Sequence, residues 1–245
     1  MKADQGQQWK LLDLAALDTR SAQIAHRRRN LPEAQDARLA QEAYDAHEAD
    51  LVRARTAHGD VEREIAKSEG DLQLVRDRAK RTMARLDDGS ASSRDLQNLQ
   101  AELESLERRT ATLEDEQLAV MERAEAIGAK VERLAAEEPA LKEAAVAAAE
   151  AERQAVANLD EAEQTIARSR ADVVGGLAKP LLELYEKIRE QTGMGAAALT
   201  QRRCGGCNLE LLGADLRRVA DAPEDEVVRC EECRRILVRT SESGL

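Results

Sequence analysis

LQNLQAELESLERRTATLEDEQLAVMERAEAIGAKVERL, residues Leu96 to Leu134, places mostly apolar side chains at alternating steps of three and four, and the frame runs on to Val173. One set is Leu96, Leu103, Thr110, Gln117, Ala124, Val131, Glu138, Ala145, Glu152, Leu159, Ile166 and Val173; the other is Leu99, Leu106, Leu113, Val120, Ile127, Leu134, Leu141, Ala148, Ala155, Ala162 and Ser169. A period of 3.5 keeps such a seam on one side only if the helix supercoils left-handedly about a partner. The stretch therefore predicts one long coiled-coil helix.

The partner is in the first third of the chain. Val61, Ile65, Ser68, Leu72, Val75, Ala79, Thr82 and Leu86 repeat the spacing, and Ala37, Ala40, Tyr44, Leu51 and Ala54 extend it backward with His47 and His58 in frame. Between the arms, Asp87-Asp88-Gly89-Ser90-Ala91-Ser92-Ser93 is a cluster of helix breakers and caps, which predicts a turn within 87–94. Two arms of about 80 residues would each run roughly 120 Å. A turn centred near residue 91 sets Glu152 opposite Arg28 and Glu138 opposite Tyr44.

Pro32, preceded by Asn30-Leu31, predicts a kink or short break, and Pro139 a kink without a stop, since proline interrupts helical hydrogen bonding. The small-residue run from Ala144 to Ala157 either lets the arms approach closely or leaves a shallow surface. His26, His47 and His58 are too widely spaced to share a ligand and read as seam or surface residues.

Composition agrees with extended helices. Charged residues make up 35%, and Trp9, Tyr44 and Tyr185 are the only aromatics, too few for a large compact core. The net charge of −11 opposes non-specific polyanion binding by the whole chain. No run is long and apolar enough for a membrane span, and the N-terminus lacks a signal-peptide core, so the expectation is a cytoplasmic protein without membrane association.

Past Gly175-Gly176, a short amphipathic helix is predicted with Leu181, Leu184, Tyr185 and Ile188 on one face, ending at Gly193; the stretch Gly193 to Ala198 then leads into the last domain. There Cys204-Gly205-Gly206-Cys207 and Cys230-Glu231-Glu232-Cys233 form two C-x₂-C pairs, which hold all the cysteines of the chain. Each pair places two thiolates on one metal from a tight knuckle, and two knuckles complete a tetrahedron. One structural Zn²⁺ is the expected cofactor. Iron of rubredoxin type shares that ligand geometry, whereas disulfides fit poorly with a cytoplasmic chain.

Leu209, Leu211, Val227-Val228, Ile236 and Val238 read as short strands, with one helical turn between Gly213 and Glu226 turning Leu216 and Val219 inward. Arg202, Arg203, Arg217, Arg218, Arg229, Arg234, Arg235 and Arg239 surround the ligands and would bind phosphates if gathered on one face. The other reading is a solvated mixed-charge surface, and no aromatic residue is present there to stack on bases.

The chain is thus mainly α: a long antiparallel coiled-coil helical hairpin over 1–174, a connecting helix over 175–199 and a small C-terminal β zinc ribbon over 200–245. This order, with Tyr185-Glu186-Lys187-Ile188-Arg189 ahead of the knuckles and Arg235-Ile236-Leu237 after them, resembles a bacterial C4-type zinc-ribbon family of unknown function. Some of its members are flagellar or type III secretion regulators, and the resemblance implies partners such as a sigma factor, secretion components or messenger RNA. The four cysteines and Arg235-Ile236-Leu237 match that family residue by residue. Arg234 stands where the family often has Gly, which puts the backbone turn of the second knuckle in question.

Two functions are expected from these features. One is a non-enzymatic adaptor, more often monomer than dimer, that meets a protein partner through the coil and the ribbon; the alternative is a nucleic-acid-binding regulator using the ribbon arginines. An enzyme is not expected, because a C4 metal site has no open coordination position and no nucleophile with a neighbouring His or phosphate loop is recognisable.

Overall fold

A computed structural model describes residues 1–89 and 92–245. The chain forms α1 (Gln5–Arg29), α2 (Pro32–Asp87), α3 (Ser93–Gly175), α4 (Lys179–Thr192), β1 (Ala196–Thr200), β2 (Arg203–Cys204), α5 (Gly213–Asp221) and β3 (Ile236–Arg239). These divide into two compact units, residues 34–150 and residues 1–33 with 151–245.

In the first unit, α2 and α3 run antiparallel with the heptad residues between them. Leu51, Ala54, Val61 and Leu72 of α2, and Leu99, Leu113, Val120 and Leu134 of α3, are buried along the seam. Leu51 and Ala54 close on Leu134, about three residues from the place that a turn centred at 91 assigns it. Exposed ion pairs flank the seam, among them Arg76 with Glu114, Arg78 with Glu102 and Arg123 with Glu64; such pairs add little to stability. Gly89 adopts φ 65° just past the end of α2, and the Ser92 hydroxyl accepts from the Asp95 N–H to cap α3. Ser90 and Ala91, the expected centre of the turn, lie outside the described residues.

α3 runs unbroken through Pro139. Proline has no N–H and disturbs the preceding helical turn; there the His47 Nε2–H donates to the Leu134 carbonyl at 2.8 Å. His58 packs on Gly128, where a Cβ would stand 3.4 Å from Nε2. Both histidines are part of the seam, as expected.

In the second unit, Asn30 ends α1 and Pro32 opens α2, so the predicted break spans Asn30-Leu31. The Arg28 and Glu152 pairing is corrected here: Arg28 donates to Asp160 at 2.5 Å and to Glu163 at 3.0 Å. Two non-helical residues rise up to about 3.3 Å each instead of 1.5 Å, which adds the length of about two helical residues to the displacement already present at Leu51 and Leu134.

α4 buries Leu181, Tyr185 and Ile188, the predicted face, against Leu11, Leu14 and Ala15 of α1. The Tyr185 hydroxyl donates to Asp18 Oδ2 and Arg170 Nε to Asp18 Oδ1, both at 2.7 Å. Burial and the Asp18 carboxylate hold the Tyr185 phenol well above the usual tyrosine range. Gly195 is dictated by this packing, because a Cβ there would fall 2.5 Å from the Tyr185 ring.

The stretch read as a lead-in, Gly193 to Ala198, instead supplies most of β1, the central strand of a sheet ordered β2-β1-β3. β1 pairs parallel with β3 and antiparallel with β2. Strand alternation then divides the residues between two cores. Ala196, Ile236 and Val238 face α1 and α4, while Ala197, Leu199 and Leu237 join Leu211, Val219, Val228 and two of the cysteines. The N-terminus is stitched to this sheet unit: Ala3 N–H donates to Asp225 O, and Val227 N–H to Met1 O.

Candidate metal centre

Both C-x₂-C pairs form the same hairpin knuckle. In the first, the Cys204 N–H donates to Leu209 O and the Asn208 N–H to Cys204 O; in the second, the Cys230 N–H donates to Arg235 O and the Arg234 N–H to Cys230 O. In both, the residue after the second cysteine is left-handed, Asn208 and Arg234 each at φ 62°. The doubt about the second knuckle is thereby resolved. Arg234 takes the conformation that Gly adopts at lower cost, and the metal ligands fix it there.

The knuckles bring the four sulfurs within 4.8 Å of one another. The Sγ atoms of Cys204 and Cys233 are 3.7 Å apart, and those of Cys207 and Cys230 are 3.9 Å apart. A tetrahedron with Zn–S bonds of about 2.3 Å has edges of about 3.8 Å, whereas a disulfide needs about 2.05 Å. The cluster fits one tetrahedral ion, and all four thiols are free.

Cys204 and Cys230 lie fully inside, while Cys207 and Cys233 are partly exposed. Burial pushes the Cys204 thiol up to about 12 and raises Cys230 as well. At Cys233 burial acts in the same direction, yet the Arg235 N–H and neighbouring thiols outweigh it and hold that thiol below its ordinary value. Buried thiols resist ionisation alone; a divalent cation among them supplies the missing charge, so metal binding drives proton release and folding together. The site is a C4 zinc ribbon for one structural ion, whose four thiolates leave no position for water or substrate.

The ribbon arginines are placed as follows. Arg202 donates to Gly244 O, and Arg203 pairs with Glu210. Arg218 donates to Arg229 O and pairs with Glu231, which Arg234 also reaches at 3.4 Å. Arg229 donates to Arg234 O. Arg239 spans the carbonyls of Val219, Ala222, Pro223, Glu224 and Glu226, so it ties the end of α5 to the following loop. Arg235 donates to Gly206 O and Thr192 O. Arg217 is exposed. Only the fold reveals these tasks, because a guanidinium bound to carbonyls has no spacing signature.

Residues 14–193 match the CT398-like coiled coil hairpin domain, and residues 203–237 match the C4-type zinc ribbon domain. An uncharacterized protein of Mycobacterium tuberculosis is 36% identical over 239 residues, 98% of each chain. One from Mycobacterium leprae is 29% identical over 223 residues, covering 89% of this chain and 94% of its own. A solved structure from Mycobacterium smegmatis superposes with a TM-score of 0.84 at 34% identity, over 98% of this chain and 100% of that one. CT398 from Chlamydia trachomatis shares the fold, with a TM-score of 0.71 at 16% identity over 96% and 98% of the two chains. The chain belongs to the CT398-like family of coiled-coil hairpin proteins that end in a C4-type zinc ribbon.

Proposed function

We propose that this chain is a non-enzymatic adaptor of the cytoplasm, monomeric, that binds a protein partner through its coiled coil and its zinc ribbon. A coiled coil followed by a zinc ribbon fits a non-catalytic structural or regulatory role. The observation that carries the adaptor reading over the nucleic-acid reading is the occupation of the ribbon guanidiniums. Seven of the eight are engaged with backbone carbonyls or carboxylates, so phosphates would have to compete for donors already in use. The coil, in turn, carries large exposed apolar side chains beside its seam, including Leu74, Leu118 and Met121, which favour a protein surface as the counterpart.

The test is binding of the zinc-loaded protein to labelled RNA and duplex DNA across a salt series. The expected result is no binding even at low salt, together with protein adducts from a photo-crosslinker placed at Leu118. Salt-sensitive binding that an Arg217→Ala/Arg234→Ala variant removes would overturn the adaptor reading in favour of a nucleic-acid regulator. Arg235 and Arg239 are unsuitable for that variant because their side chains hold the fold.

A further inference from the structure

Arg235 touches both halves of the metal centre with different parts of itself. Its carbonyl accepts from the Cys230 N–H at 3.0 Å, which closes the second knuckle. Its side chain crosses to the other knuckle, where Nη1 donates to Gly206 O at 2.9 Å, between Cys204 and Cys207. Nη2 reaches the Thr192 carbonyl at the end of α4 at 2.8 Å. The crossing requires Gly206: a Cβ there would stand 2.7 Å from Arg235 Cδ.

The charge of this guanidinium is not balanced by a carboxylate. Gly206 O and Thr192 O are neutral carbonyls, Nε is buried without an acceptor, and among the described residues no carboxylate lies within ion-pair distance of Arg235. Arg235 is partly buried, and a cation drawn partly out of water is favoured by a countercharge nearby. Four thiolates around one divalent ion carry a net charge of about −2, and Arg235 sits on the backbone that presents them.

We propose that Arg235 is the positioning residue of the metal centre: it locks one knuckle to the other and to the end of α4, and its charge opposes that of the tetrathiolate. Zinc retention and seating of the ribbon on α4 then depend on the same side chain. Lys in its place keeps the charge but presents a single ammonium, which cannot serve two separate carbonyls with the geometry of a planar fork.

The test uses the zinc-loaded full-length chain and follows transfer of zinc to a chromophoric chelator, with cobalt absorption as a second readout of ligand geometry. Arg235→Ala is expected to accelerate release at least tenfold and to alter the cobalt ligand-field bands, and Arg235→Lys to fall between it and the wild type. Arg202→Ala, which removes a guanidinium held by a carbonyl outside the knuckles, is expected to stay within twofold of the wild type. Wild-type release from Arg235→Ala, or equal acceleration by Arg202→Ala, overturns the assignment. If Arg235→Ala does not accumulate as folded protein, Arg235→Lys decides on the same readout: faster release supports the role, and unchanged release rejects it.

Discussion

At the scale of single residues, Asp18 shows how a sparse core holds a charge. Its carboxylate lies among apolar residues of α1 and α4 and accepts from the Tyr185 hydroxyl and from Arg170, while Arg170 and Arg189 also bind Glu186. Removing the phenol leaves a carboxylate short of one donor in a confined place, which costs more than an exposed hydrogen bond. Tyr185→Phe is expected to lower stability by about 1.5–3 kcal/mol, measured as a shift of the urea midpoint at constant slope. An unchanged midpoint would mean that water serves Asp18 equally well. The αL residues Asn208 and Arg234 belong to the same scale: each closes a knuckle, Asn208 in a conformation that Asn tolerates and Arg234 in one that Arg seldom adopts.

At the scale of elements, α2 and α3 illustrate how apolar spacing identifies a pair but leaves its register to the breaks. Every side chain on a heptad seam fits several partners seven residues apart, so the match is decided where the helices start and stop. Leu51 and Leu134 share one contact cluster, whereas Leu51 and Leu113 are distant in the seam. Leu51→Ala and Leu134→Ala are therefore expected to be non-additive, with a coupling of about 0.5–3 kcal/mol, and Leu51→Ala and Leu113→Ala to add. Thermal unfolding of the single and double variants measures this. Additivity of the first pair would reject the observed register.

At the scale of the whole molecule, independence of ribbon and helices would let chelation unfold the ribbon and leave the helical signal intact. The shared core argues otherwise: Leu11 and Leu14 of α1 and Tyr185 of α4 rest on Ile236 and Val238 of the sheet. Zinc contributes much of the folding free energy of so small a β module. Once the sheet is lost, those helix faces are exposed to water. α1, α4 and α5 hold 25, 14 and 9 residues against 56 and 83 in α2 and α3, so chelation is expected to remove about a quarter of the helical circular dichroism. The remainder should melt in a separate transition, because residues 34–150 have their own seam. No loss of helical signal would show that α1 and α4 stand without the sheet.

Some of this was settled by local chemistry that sequence displays directly. Heptads over Leu96 to Val173 demand a partner helix, and two C-x₂-C pairs demand a tetrahedral metal, because both follow from the spacing of side chains along a few turns of chain. What only the tertiary structure decided depends on residues far apart in sequence. Ala196 to Thr200 is mostly Ala, a poor strand former without alternation, and becomes the central strand because β3 supplies its partner forty residues on. Arg28 meets Asp160 and Glu163, rather than Glu152, in a seam already displaced at Leu51 and Leu134, to which a two-residue break in one arm adds further rise. Arg235 and Arg239 look like surface charge in sequence, and their tasks emerge only when folding carries carbonyls of distant segments to within reach of a guanidinium. Periodicity and ligand spacing record what a segment needs, and only folding determines which distant group satisfies it.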